Sequence, residues 1–341
     1  MPFHLYRFLQ GPARLACSHL AFLLFLLGLA ACTQHAASPT PVAQHGHLSI
    51  LGNRIVNQHQ TPASLAGPSL FWGNRGWFGE RFFHAGSVSY ARREWNAGII
   101  RVAMGVEAKG GILYDWDGRV AKVKTVVDAA IAQGIYVIID WHSHHAEDHE
   151  DAAQLFFRDM AQTYGKYPNV IYEIYNEPLE HTDWSTVIKP YALTVINTIR
   201  AIDPDNIIVV GTQKWSQDVD KAADDPITGF ANIAYALHFY AGTHKQELRD
   251  KAEYALNKGL ALMVTEWGSV NADGKGDVDR QETQLWMNFV RKHQLSHCVW
   301  SFHNKNESTS VFKPTASTAG PWSDKDLTES GRLAKDIIKN W

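Results

Sequence analysis

The stretch VAKVKTVVDAAIAQGIYVIIDWH, residues 120–142, contains one whole structural unit and decides how the rest of the chain is read. Val120, Val123, Val126, Val127, Ala130 and Ile131 recur at three- and four-residue spacing, the period of a helix with one apolar face. Gly134 stands where a glycine can take the left-handed conformation that closes a helix. From Ile135 the pattern becomes a short β-branched run that stops at Asp140-Trp141-His142. Helix, cap, strand and a polar strand end follow one another within a single unit.

The same unit repeats outward in both directions. Short apolar runs begin near Ala63, Ile99, Ile135, Val170, Asn206, Ile233, Leu260 and His297, each separated by room for a helix and two loops. Helical spacing returns at Leu285, Trp286, Phe289 and Val290, and at Leu327, Leu333, Ala334 and Ile337. Strands that alternate with helices pair in parallel through right-handed crossovers. Eight such units predict an α/β fold, a single-domain (β/α)8 TIM barrel. The alternative, a doubly wound open sheet, lacks its glycine-rich phosphate loop after any early strand. Ahead of the first barrel strand, Leu48 to Val56 reads as a β-hairpin turning at Gly52-Asn53 and plugging the barrel floor.

Barrel chemistry sits at the C-terminal ends of the strands, and here those ends are polar. The second run ends near Arg101, the third in Asp140-Trp141-His142, the fourth in Asn176-Glu177-Pro178. The sixth ends in His238-Phe239-Tyr240, the seventh in Glu266-Trp267, the eighth in Trp300-Ser301. Burying an unpaired carboxylate costs on the order of several kcal/mol, so strand interiors normally exclude it. Glu177 and Glu266, closing two apolar runs, are the pair that glycosidic bond cleavage requires: one protonated acid and one ionised carboxylate.

The phrases IIRVAMG, VIIDWHSH, VIYEIYNEP, IAYALHFYAGTH, MVTEWG and VWSFHNKNES, in this order and at strand ends, resemble the cellulase branch of glycoside hydrolase family 5, with its bacterial endo-β-1,4-glucanases. The resemblance runs from about Leu48 to Trp341. It implies Glu177 as acid/base and Glu266 as nucleophile, with retention of configuration. It also implies substrate-binding or supporting roles for Arg101, His142, Asn176, His238, Tyr240 and Trp300. In that scheme Arg101 and Tyr240 hold Glu266 ionised, Asn176 meets the sugar 2-hydroxyl and His238 orients Glu177. Glu177 should titrate high, through burial and the charge of Glu266. Trp72 and Trp300 read as sugar platforms, and Lys305 and Glu307 resemble positions that bond glucan hydroxyls. Where cellulases of this branch often carry a His after the first strand, this chain has Pro68-Ser69. A mannanase, xyloglucanase or lichenase of the same fold is an alternative, as is an inactive glycan-binding lipoprotein.

A net charge of −3 gives no reason to expect nucleic acid as a partner. Twelve Trp exceed what a core needs and suit a ligand with flat faces, such as a β-1,4-linked glucan poly- or oligosaccharide. No cofactor is expected. His142, His144, His145 and His149 with His238 invite a metal reading, but leave no spare carboxylate, so no metal is assigned. The expected state is a monomer. Residues 1–31 read as a lipoprotein signal peptide: Arg7 and Arg14, an apolar run too short to span a bilayer, then Leu29-Ala30-Ala31-Cys32, which resembles a lipobox. Lipid on Cys32 would anchor an exported protein to the bacterial outer membrane or cell surface, with secretion as the alternative. Residues 32–46 read as a flexible tether and 47–341 as the catalytic domain.

Overall fold

The computed structural model describes residues 39–341. A hairpin of β1 (Ser49–Leu51) and β2 (Arg54–Val56) precedes a closed parallel barrel. The barrel strands are β3 (Ala66–Leu70), β4 (Ile99–Gly105), β5 (Tyr136–His142), β6 (Val170–Glu173), β7 (Ile208–Val210), β8 (Ile233–Tyr240), β9 (Leu262–Gly268) and β10 (His297–Phe302). They pair in chain order and β10 closes on β3. All eight runs read from the sequence are strands.

Period-two alternation divides each strand between two cores. Outward residues such as Ile100, Val102, Val137, Ile139 and Val264 pack under the helices. Helix Trp116–Gln133 buries Val123, Val126, Val127 and Ala130, and closes at Gly134 with φ 64°. Helix Arg280–His293 buries Trp286, Met287, Phe289 and Val290, whereas Leu285, read as part of that stripe, faces solvent. Inward residues Ile99, Tyr136, Ile138, Ile171, Val209, Ala234, Ala236, Met263 and Cys298 fill the lower barrel, with Leu48 and Ile55 of the hairpin beneath them. The hairpin turns at Gly52, φ 61°, as its sequence predicts.

Two differences from the sequence reading matter. Residues 39–46, expected within the tether, are docked. Thr40 caps a one-turn helix, Pro41–His45, through a bond from Ala43 N to its hydroxyl. Val42 N donates to Gly134 O, Gln58 N to His45 O, and the Tyr136 hydroxyl to Gly46 O. A Thr-Pro start is itself a helix signal, and the barrel floor satisfies the remaining polar backbone. The expected signal peptide and Cys32 lie outside the described residues. Among the described residues, no helix is long and apolar enough to cross a membrane.

The second difference lies in β9. The β8–β9 register jumps from Ala236↔Met263 to His238↔Glu266, so one extra residue is inserted in β9. Such a bulge breaks the alternation and re-aims side chains. Thr265 and Glu266, adjacent in sequence, therefore both reach groups inside the barrel.

Candidate active site

Above the apolar floor the barrel interior turns polar, and Arg101 of β4 is its hub. Its side chain is fully buried, with Nη1 3.0 Å from Glu266 Oε2, Nε 2.7 Å from Glu173 Oε2, and Nη2 3.0 Å from Asp140 Oδ2. Nη2 also donates to Asn176 Oδ1 at 2.6 Å, which turns the amide nitrogen of Asn176 the other way. A planar guanidinium with five donors suits a site ringed by acceptors. Asp140 and Glu173 are neighbours across the β5–β6 register and share this layer. Neither was assigned a role from sequence. The available signal was a Glu inside an apolar run, four residues before Glu177.

Glu266 is held from two sides. Tyr240 donates its hydroxyl to Oε1 at 2.5 Å while Arg101 takes Oε2. Gly268 lets Tyr240 lie this close, since a Cβ there would stand 2.4 Å from the Tyr240 ring. Burial and the charge of Glu177 push the Glu266 carboxyl up, opposed by His238, Arg101 and the Tyr240 hydroxyl.

Glu177 follows β6 and sits between two histidines. His238 Nδ1 is 2.8 Å from Oε1, and His144 Nε2 is 3.3 Å from Oε2. Burial alone would raise this carboxyl, but hydrogen bonds from His144 and His238 bring it down to about 2. The expected high titration of Glu177 is thus corrected. For His238, burial lowers the imidazolium, yet its bonds toward Glu173 and Glu177 lift it to about 9. Near neutral pH the proton of this pair therefore rests on the imidazole. The sequence placed His238 beside Glu177 but gave no such part to His144, which came out of a histidine cluster that the fold disperses. His149 instead begins helix Glu150–Tyr164, and the backbone N–H of His145 donates to Ser143 Oγ.

Carboxylate oxygens of Glu177 and Glu266 and a ring nitrogen of His238 lie within 4.8 Å of one another. Such a trio could hold a cation by distance alone, but donors from Arg101, Tyr240 and His144 already occupy the carboxylates.

Aromatic side chains build the wall. His142 stacks on Trp300 at 5.1 Å between centroids and meets Trp72 edge-on at 4.2 Å. Trp300 is otherwise packed against Phe71, and Trp77 extends the surface of Trp72 at 5.8 Å. Glu307 accepts from His303, Thr309 and Lys305, so the Lys305–Glu307 pair is fixed rather than loosely solvated. These two line a hollow of about 680 Å³. It adjoins, through Asp273, a second one of about 570 Å³ lined by Glu177, Glu266, His144, His238, Tyr240 and Trp215. The larger hollow lacks the carboxylate pair, so chemistry belongs to the second.

Trp215 was not singled out from sequence. Lys214, Trp215 and Ser216 have φ of 60°, 53° and 56°, a left-handed turn without glycine. Each such residue costs roughly 1–3 kcal/mol and persists only where its surroundings over-determine it. Here Trp215 N donates to Pro178 O at 2.7 Å and Ser216 Oγ to Asn176 O at 2.8 Å. The turn is clamped to the backbone on either side of Glu177.

Comparison with known proteins agrees with this geometry. Residues 56–306 match the sequence pattern of the family described as Cellulase (glycosyl hydrolase family 5). Endoglucanase Z of Dickeya dadantii is 53% identical over 294 residues, 86% of this chain and 66% of the relative. The chain thus spans just under two thirds of that protein's length. A structure from Cytophaga hutchinsonii superposes with TM-score 0.86 at 49% identity, covering 88% of this chain and 97% of the other. The catalytic domain of Thermobifida fusca endoglucanase Cel5A, in a substituted form in complex with cellotetraose, superposes with TM-score 0.82 at 30% identity, covering 88% and 99%.

Proposed function

We propose that this chain, which belongs to glycosyl hydrolase family 5, is an endo-β-1,4-glucanase that cleaves internal glucosidic bonds with retention of configuration. The observation that carries the reading is the separation of the two carboxylates, within 4.8 Å. Retaining enzymes hold them about 5–5.5 Å apart, whereas inverting enzymes need roughly 6.5–9.5 Å to admit a water.

Glu266, oriented by Arg101 and Tyr240, attacks the anomeric carbon as Glu177 gives a proton to the departing glycosidic oxygen. The C–O bond breaks, and the sugar is left esterified to Glu266. Water then enters, Glu177 takes its proton, and the new oxygen bonds to the anomeric carbon while the ester electrons return to Glu266. Asn176, oriented by Arg101, supplies an amide donor toward the 2-hydroxyl, an interaction that strengthens in the transition state. Trp72 and Trp300 give the sugar an apolar floor, with His142, Lys305 and Glu307 on the same side. Support for β-1,4-glucan as substrate comes from the cellotetraose held by the Thermobifida relative.

The test is product formation by the full-length protein from carboxymethyl-cellulose, mixed-linkage β-glucan and glucomannan, with Glu266→Gln as control. The anomer released first is read by proton NMR. Cleavage of the glucans giving the β-anomer supports the reading. Preference for glucomannan would move the specificity to a mannanase, and α-anomer release would overturn the mechanism.

The protein is further proposed to be exported and anchored through lipid on Cys32. The support is Leu29-Ala30-Ala31-Cys32 behind an apolar run. Cys32→Ser should release the protein from membrane fractions, and unchanged retention would remove the anchor.

A further inference from the structure

The barrel floor, at the end opposite the cleft, carries two features that hydrolysis does not use: the point where the chain enters the body, and an excess of unpaired cations. A Cβ on Gly134 would meet the Thr40 hydroxyl at 2.4 Å, and one on Gly98 would touch Pro41. Both glycines stand in loops that enter the barrel from its floor, before β5 and β4. The first described residues are therefore held at the floor.

Six residues, Thr33 to Ser38, separate Cys32 from Pro39. Even fully extended, a chain rising ~3.6 Å per residue keeps Cys32 within about 25 Å of Pro39. β5 alone, with seven residues, is about 23 Å long, and loops extend the barrel beyond both of its ends. A lipid on Cys32 can sit in a bilayer below the floor. Its link is too short to pass the body and bring the mouth onto the same bilayer.

The hairpin side of the floor has the composition of a surface that meets lipid. Leu51, beside the hairpin turn, is 56% exposed. Arg54 of β2 donates to Gln294, just past helix Arg280–His293, and Arg291 of that helix lies over the Trp341 ring at 4.4 Å. Trp341 Nε1 donates to Ser64 Oγ at 2.9 Å, ahead of β3, and Lys339 ends helix Glu329–Lys339. Arg54, Arg291 and Lys339 are exposed and have no carboxylate partner among the described residues, whereas Lys258 and Lys292 are paired with Asp224 and Glu253. Arg93 and Lys166 add two more unpaired cations at this end, against unpaired Glu94, Asp205 and Asp336. In a chain with more acids than bases, this end is cationic. Cations beside an exposed aliphatic side chain and a half-buried Trp suit the head-group region of an anionic bilayer.

We infer that the barrel floor, through Leu51, Arg54, Arg291, Lys339 and Trp341, rests on an anionic phospholipid surface, so that the catalytic mouth opens away from the membrane. The inference rests on the proposed lipid at Cys32 and adds the orientation of the anchored enzyme. A polysaccharide then reaches an unobstructed cleft, whereas a mouth turned toward lipid would admit only short fragments.

The test uses the full-length protein, extracted from membranes and reconstituted on vesicles of phosphatidylethanolamine with phosphatidylglycerol, or of phosphatidylcholine alone. Leu51→Cys and Tyr114→Cys are each labelled with bimane. Tyr114, 67% exposed, lies on the mouth side, between β4 and helix Trp116–Gln133. Cys298 is buried and stays unlabelled. On the anionic vesicles, quenching by lipids brominated on their acyl chains should be stronger at position 51 than at position 114 by about threefold or more. At position 51 it should fall by about half or more on phosphatidylcholine, and likewise when Arg54→Gln, Arg291→Gln and Lys339→Gln are combined. Vesicle-bound wild type should hydrolyse carboxymethyl-cellulose and cellotetraose in the same ratio as the detergent-solubilised protein. Equal quenching at both positions, or selective loss of polymer turnover on vesicles, would overturn the orientation. Quenching at position 51 that ignores lipid charge would overturn the anionic surface as partner. Failure of the wild-type protein to float with vesicles would refute the lipid on Cys32 itself, a result distinct from the other two that removes the inference with it.

Discussion

A carboxylate oxygen of Glu177 and one of Glu266 lie within 4.8 Å of each other, although the residues are 89 positions apart, one in the loop after β6 and the other in β9. Their environments are opposed: Glu177 meets two imidazoles, whereas Glu266 meets a guanidinium and a phenol. Glu266→Gln keeps the shape and removes the nucleophile. Turnover of carboxymethyl-cellulose should be lost, while calorimetry should find cellotetraose affinity within about threefold of wild type, since stacking and polar contacts remain.

Arg101→Met should unfold more readily in urea. It leaves Glu173, Asp140 and Glu266 as buried carboxylates without their common cation, and breaking a buried pair costs about 3–5 kcal/mol. A wild-type denaturation midpoint would contradict the role of Arg101 as hub.

The Glu177–His238 pair should also shape stability against pH. His238 is raised from 6.5 to about 9, so its contribution is full below 6.5 and is lost as pH rises through 9. Glu177 is lowered from 4.5 to about 2, so its contribution is present above 4.5 and is lost as pH falls toward 2. Thermal scans should give a plateau between these windows and a decline on each side. His238→Asn should flatten the alkaline decline, and an unaltered slope would exclude this source.

Gly268→Ala would place a methyl 2.4 Å from the Tyr240 ring and push the phenol off Glu266. Overpacking of this kind costs about 1–3 kcal/mol. The expected result is a lower melting temperature, with kcat falling by about tenfold or more from loss of the hydrogen bond to the nucleophile. Unchanged kcat would mean that Tyr240 does not assist Glu266.

Trp215→Ala should raise KM for cello-oligosaccharides long enough to cross the cavity by about three- to tenfold, the scale of one aromatic stacking contact. Glucosides too short to reach it should be unaffected. Equal effects on short and long substrates would point instead to the left-handed turn and its clamp on Asn176 and Pro178.

Much of the fold is local in origin and could be read directly. A helical period ending in Gly134, then a β-branched run ending in His142, is written in neighbouring residues, and eight repeats leave few ways to bury eight doubly apolar strands. The same logic found Glu177, Glu266 and their polar companions, because a polar residue closing an apolar strand is visible along one dimension. Residues 39–46 were misread because their partners, Gly134, Gln58 and Tyr136, are distant in sequence and a short polar segment carries no periodicity of its own.

Tertiary structure alone decided how the site is wired. Period-two alternation puts Thr265 and Glu266 on opposite faces, and only pairing with β8 and β10 introduces the bulge that turns both inward. Glu173 and Asp140 join the site because the barrel brings Arg101 between them. The sequence by itself determined which residues stand at the barrel mouth. Which of them holds the proton depends on burial and on hydrogen bonds between strands, and those distances exist only once the barrel closes.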